Sequence, residues 1–256
     1  MRYFLRLAYR GAPFHGWQLQ PNAVSVQGTL QQALSTILRR ETEVVGAGRT
    51  DAGVNASEMF AHFDSEVSLL TWKEGFLRSL NHLCGKDIAI YDLLPVRDDA
   101  HARFDALSRT YHYYITHSKT PFQYPLAWYV PGTLDYERMN RTAARLKDVE
   151  DFTSFSKLHT DTKTNICHLT EAVWKSAPIF EMGGESMMVF EITANRFLRN
   201  MVRAVVGTLV ELGRGKLSDE GFMRIIEAKD RCRAGDSVPG HALFLHSVNY
   251  PDSIFI

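Results

Sequence analysis

The first hundred residues switch repeatedly between two hydrophobic periods, and this pattern constrains the fold more than any other feature of the chain. Residues 2–9 set Tyr3, Leu5, Leu7 and Tyr9 against Arg2, Phe4, Arg6 and Ala8. That period of two predicts a strand. A loop with Gly11, Pro13, Gly16 and Pro21 follows. Over 25–40, Val26, Leu30, Leu34, Ile37 and Leu38 recur at helical spacing behind Ser25, a suitable N-cap. Short strands are expected near 43–47 and over 57–63. Thr71-Trp72-Lys73-Glu74 has capping-box spacing and opens a helix with Phe76, Leu77, Leu80 and Leu83 on its apolar face. A last strand runs over 87–95 and is ended by Pro95. The order is β-α-β-β-α-β, the ferredoxin-like arrangement.

The second half repeats this rhythm loosely. Strands are predicted over 108–117, 166–175, 187–194 and 243–250, and helices over 135–147, 197–212 and 218–228. The expected fold class is α+β, with two ferredoxin-like-derived halves, mixed but largely antiparallel sheets, flanking helices and a central cleft. The halves are placed at 1–100 and 101–256, and a cleft between such halves is a natural ligand site.

Composition excludes several classes. Hydrophobic residues make up 45% of 256, enough for an ordinary folded core. The opening Met-Arg-Tyr-Phe-Leu-Arg predicts no signal peptide, and no stretch nears the roughly 18 apolar residues of a membrane span. Cys84, Cys167 and Cys232 are far apart and odd in number, so scattered thiols in a reducing cytoplasm are expected rather than disulfides or a zinc site. The ten histidines show no metal-ligand spacing, so no metal is expected. Formal net charge is zero, which disfavours a phosphate-rich partner unless the basic residues gather on one face.

Three segments carry candidate chemistry. In Gly48-Arg49-Thr50-Asp51-Ala52-Gly53-Val54, an extended backbone points Arg49 and Asp51 to one side. A guanidinium beside a carboxylate favours its ionised form, which suits a nucleophile. The competing reading makes Asp51 a turn residue paired with Arg49. The glycines match neither nucleotide-binding loop pattern. In the strand after His101, Arg109, Tyr111, Tyr113 and Ile115 share a face. Guanidinium forks with aromatic rings suit RNA, though amphipathic tyrosines on a half-buried strand give the same pattern. In the helix over 197–212, Leu198, Met201, Val202, Val205, Val206 and Leu209 form a core stripe. Arg196, Arg199 and Arg203 lie on another side, and Arg203 borders the stripe. An inward Arg203 requires an anionic partner, for which Asp51 is the candidate; a solvated basic face is the plainer reading. Arg138, Arg141, Arg145 and Lys216 read as helix surface.

Taken together, these segments resemble the tRNA pseudouridine synthase A family over nearly the whole chain. The likeness runs from Phe14-His15-Gly16-Trp17-Gln18-Leu19-Gln20 through Gly48–Val54, Ala102-Arg103-Phe104 and Arg109-Thr110-Tyr111. It continues through Asp151-Phe152-Thr153-Ser154-Phe155 and Phe197-Leu198-Arg199-Asn200-Met201-Val202-Arg203 to Leu243-Phe244-Leu245. It implies a cytoplasmic, cofactor-free homodimer that isomerises uridine to pseudouridine at positions 38, 39 and 40 of the tRNA anticodon stem–loop. By the resemblance, Asp51 is the nucleophile and Arg49 is associated with base flipping. Tyr111 stacks on the uracil and relays its C5 proton, and Arg203 pairs with the catalytic carboxylate. Ala100, His101, Ala102, Arg103 and Phe104 form a tRNA-contacting stretch, and the cleft holds the RNA.

Two positions depart from the pattern. Asn55 stands where the family usually has His, and Leu158–Asn165 differs from the usual loop, which affects tRNA contacts there. Two other function classes compete: a non-catalytic RNA-binding or tRNA-folding module on the same scaffold, and a carboxylate hydrolase. A hydrolase commonly needs a second nearby acid, for which only Asp64 and Glu66 are at hand.

Overall fold

The structure, a computed structural model, describes residues 1–157, 163–177 and 187–256. Residues 158–162 of the divergent loop lie outside the described residues. In chain order the main elements are β1 (Arg2–Tyr9), α1 (Val26–Leu38), β2 (Val45–Gly46), β3 (Asn55–Asp64), α2 (Lys73–Cys84), β4 (Ile88–Val96), β5 (Ser108–Thr116), β6 (Trp128–Tyr129), α3 (Tyr136–Ala144), β7 (Leu169–Ser176), β8 (Met188–Ala194), α4 (Met201–Gly213), α5 (Asp219–Ala228) and β9 (Leu243–Asn249). They form two compact units, Met1–Ser108 with Phe244–Ile256, and Arg109–Leu243. Among the described residues no helix is long and apolar enough to cross a membrane.

In the first unit, β1 lies between β4 and β3, antiparallel to both. Near Ala61 and His62, β3 takes β2 in antiparallel pairing, and at Asn55 and Ala56 it takes β9 in parallel. The sheet is therefore mixed but largely antiparallel. Tyr3, Leu5 and Leu7 are buried as their alternation predicts. The Tyr3 ring stacks on Phe63, and Phe63 stacks on Phe76 of α2. Phe4, on the opposite face of β1, is equally buried. Tyr250 and Phe255 set their rings edge-on to it, at 5.2 and 6.3 Å, which ties the end of the chain to this unit. Ser25 caps α1 by accepting the Gly28 N–H.

Three local expectations need correction. A single 3-10 turn over Leu70–Trp72 precedes α2, and its N-cap Trp72 makes no side-chain cap bond, so the capping box does not form. Leu83 is exposed while Cys84 turns inward. Pro95 does not end β4: it pairs with Tyr3 and the strand continues to Val96. An edge strand can spare one N–H, and β4 ends the strand order here.

In the second unit β8 lies between β5 and β7, antiparallel to both, and β6 runs parallel to β5. The expected core stripe of α4 is present, but Ala204, Gly207, Thr208, Val210 and Leu212 are buried too. A helix apolar on nearly every side belongs inside its unit rather than on the surface. The helix begins at Met201, not 197, so Arg196 and Arg199 precede it and form no helical row with Arg203. Arg138 bonds Asp219 and Arg141 bonds Glu137, so both are committed to carboxylates. Leu209→Ala should cost this unit about 2–5 kcal/mol, since a fully buried Leu leaves a cavity. Loss of hydrogen-exchange protection along α4 would measure it.

Candidate active site

Asp51 lies on a loop of the first unit between β2 and β3, and a second loop, after β1, braces it. The Trp17 N–H donates to the Thr50 carbonyl at 3.2 Å, and the Gly53 N–H donates to the Phe14 carbonyl at 3.3 Å. The Tyr9 and Thr50 hydroxyls bond at 2.8 Å out of reach of water. The Gly11 N–H donates to Asn55 Oδ1 at 2.8 Å. Two glycines permit the close approach. Gly16 has φ +94, and a Cβ there would lie 2.4 Å from the Thr50 oxygen. At Gly46 a Cβ would fall 2.4 Å from the Trp17 ring. Both distances are far inside van der Waals contact, so neither position admits a side chain without the loops separating.

This bracing leaves Asp51 half-buried and Arg49 exposed. Asp51 does close a turn, accepting the Val54 N–H at 3.2 Å, but through its backbone carbonyl. Among the described residues Arg49 forms no ion pair, so the pairing with Asp51 that belonged to the competing turn reading is not made. The loop thus offers an anchored carboxylate and, two residues earlier, an exposed guanidinium.

The predicted strand face in the second unit is divided. Tyr113 and Ile115 are wholly buried. The Tyr113 hydroxyl donates to the Pro239 carbonyl, and burial pushes its phenol pKa far up. These two are core rather than RNA-facing. Tyr111 is half-buried, its ring edge-on to Phe197 at 5.1 Å. Arg109 Nη1 donates to the Asn195 carbonyl at 2.8 Å. Arg203 sits in the first turn of α4, half-buried, with Nε donating to the Val238 carbonyl at 2.6 Å. The Val238 N–H donates back to the Arg203 carbonyl at 3.3 Å. Phe197 and Val238, which fix the orientations of Tyr111 and Arg203, carried no signal of that role in the sequence.

The 100–104 stretch belongs to the first unit and also divides. Ala100 and Ala102 are fully buried, while Arg103 is exposed and Phe104 is 74% exposed. The backbone of this stretch is pinned throughout. Arg2 donates to the Ala100 carbonyl, the Tyr250 hydroxyl donates to the Ala102 carbonyl, and the Ala102 N–H donates to His62 Nδ1. His101 Nδ1 accepts the Arg103 N–H at 3.1 Å, and its N–H donates to Asp105. The guanidinium of Arg103 lies 5.7 Å from the Phe104 ring centre. The side chains this stretch offers to a ligand are therefore those of Arg103 and Phe104, with His101 half-covered between them. Among the described residues no cluster of His, Cys, Asp and Glu is placed to hold a metal ion.

A family model described as tRNA pseudouridine synthase matches residues 143–251. The likeness extends across the Asp51 loop in full-length relatives. The tRNA pseudouridine synthase A of Bacteroides thetaiotaomicron is 58% identical over 99% of this chain and 92% of its own length. That of Parabacteroides distasonis is 54% identical over 99% and 98%. The enzyme of the same name from Exiguobacterium sp. is 35% identical over 96% of each. The chain belongs to the tRNA pseudouridine synthase A family. Members of this family are isomerases.

Asn55 directly follows the Gly48–Val54 motif. Asn55 is 2% exposed and is the acceptor that holds Gly11. Asn55→Ala should cost about 1–3 kcal/mol, because a buried N–H loses its partner; chemical denaturation would show it. A second expectation concerns His62, whose imidazole is pushed down to about 4 from 6.5 by burial, with Arg2 and His101 adding to the effect. Between those values the unfolded chain binds more protons than the native one. The contribution is therefore complete above about 6.5 and is lost as pH falls towards about 4. His62→Gln, an uncharged acceptor for Ala102, should flatten that dependence when urea midpoints of both proteins are compared across the window.

Proposed function

We propose that this chain converts uridine to pseudouridine at positions 38, 39 and 40 of the tRNA anticodon stem–loop, in the cytoplasm and as a homodimer, with Asp51 as the nucleophile. The observation that carries the reading is the anchored loop, in which Thr50 is held at its carbonyl and its hydroxyl while Asp51, next in the chain, stays half-open. In the proposed fold the two halves are ferredoxin-like derivatives, the first carrying the Asp51 loop and the second the Tyr111 strand and the Arg203 helix. The reaction requires Tyr111 and Arg203 to meet Asp51 around one uracil in an RNA-binding cleft.

A uracil stacked in RNA must be extruded before its glycosidic bond is accessible. Arg49, exposed and in no ion pair among the described residues, takes the vacated space or holds the displaced backbone. Arg103 and Phe104 supply a cation and a stacking face for the RNA, with His101 beside them. Asp51 then attacks C1′, attacks C6 or removes the 2′ proton. Each route breaks the C1′–N1 bond, forms C1′–C5, releases the C5 proton and leaves N1 protonated. No electrons leave the nucleotide and no cofactor is needed. Tyr111, held edge-on by Phe197, stacks on the uracil and relays the C5 proton. Arg203, aimed by the Val238 carbonyl, pairs with the Asp51 carboxylate.

The reading is tested by tritium release from an anticodon-arm RNA labelled at uridine C5. The wild-type chain should release tritium, and Asp51→Ala should release none while retaining most of its RNA affinity, because phosphate contacts dominate binding. Tight binding without release by the wild type would instead identify a non-catalytic RNA-binding module. Release by Asp51→Ala at the wild-type rate would remove Asp51 from the chemistry.

A further inference from the structure

We infer that Tyr9 is a positioning residue for Asp51, acting through Thr50. The inference rests on Asp51 being the nucleophile. Tyr9 closes β1, and the register with β3 shifts between Leu7 and Tyr9, so Tyr9 pairs with Ala56, close to where the Asp51 loop runs into β3. Its ring is 4% exposed and lies 6.2 Å from that of Trp17. A phenylalanine would fill this space as well. The hydroxyl adds one group that must find a partner out of water, and its partner is the Thr50 hydroxyl at 2.8 Å.

Thr50 is itself 8% exposed. Its carbonyl is held by the Trp17 N–H and its side chain by Tyr9, so little freedom remains to its backbone. The direction in which the chain leaves Thr50 fixes where the Asp51 side chain starts. A reacting group on a loop must be held to within about 0.5 Å of its working position. The bond from β1 to Thr50 transfers the rigidity of the sheet to that loop. Tyr9 itself touches no reacting atom in this account.

The test compares wild type, Tyr9→Phe, Thr50→Val, Thr50→Ser, the Tyr9→Phe/Thr50→Val double variant and Asp51→Ala. Single-turnover tritium release, RNA affinity and thermal unfolding are measured for each. Tyr9→Phe and Thr50→Val should each slow release about fivefold or more, the order expected when a catalytic group is slightly misplaced, with affinity for the RNA held within about twofold. Thr50→Ser should keep near-normal release, and the double variant should be no slower than the slower single one, since both remove the same bond. A smaller loss in Tyr9→Phe, or losses that multiply in the double variant, would overturn the inference. Should Tyr9→Phe fold poorly, the contrast between Thr50→Val and Thr50→Ser decides alone: equal rates overturn the inference. Full activity in Asp51→Ala would overturn the nucleophile assignment and the inference with it. An inactive Asp51→Ala beside a fully active Tyr9→Phe would overturn the inference alone.

Discussion

The Trp17 N–H and the Tyr9 hydroxyl reach Thr50 from two directions, one at its carbonyl and one at its side chain. Much of the first unit follows from keeping that meeting point closed. Gly16 and Gly46 are bare so that the two loops can approach, and the Trp17 ring fills the space that Gly46 leaves. Asn55 ties Gly11 to the start of β3, behind the turn that follows Asp51. In the sheet beneath, one face of β1 is buried at Tyr3, Leu5, Leu7 and Tyr9, and the other is covered at Phe4 by the aromatic rings that end the chain. A loop with such backing can present a half-open carboxylate without collapsing around it.

Part of this was legible from residue patterns. The period-two run over Arg2–Tyr9 and the helical spacing after Ser25 gave elements close to those observed, because each has one strongly apolar face with a clear boundary signal. Where the reading failed, a tertiary contact outweighed a local signal. Thr71 and Glu74 have capping-box spacing, but the 3-10 turn ahead of α2 takes the chain past the capping geometry. Pro95 reads as a strand terminator and is accommodated because β4 lies at an edge. Phe4 looked like the outward face of β1, since nothing local announces that Tyr250 and Phe255 return to cover it. The residue types of Gly48–Val54 alone left both a turn and a nucleophile loop open, and nothing local in them announces the bracing of this loop by Tyr9, Phe14 and Trp17, some 33 to 41 positions earlier.

The second unit is organised differently. Its central helix is buried on nearly all sides, so Arg203 in the first turn of α4 is a charge at the margin of a dry interior. The Val238 carbonyl satisfies one of its donors and aims the group, and the segment leading to Val238 lies close along α4. Tyr111 is treated similarly, held by Phe197 from just ahead of the helix. In both units, then, a polar residue proposed to act is held or flanked by a neighbour that is itself fixed in the fold. That arrangement suits an isomerisation whose reactants are a single nucleotide and whose difficulty is placement.

The most direct test is a map of pseudouridine in the tRNA of cells that lack this chain, complemented either with the wild-type gene or with Asp51→Ala. The account predicts that pseudouridine disappears at positions 38, 39 and 40 in the deletion, returns with the wild type and does not return with Asp51→Ala. Unchanged modification at those positions in the deletion strain, or full restoration by Asp51→Ala, would contradict it.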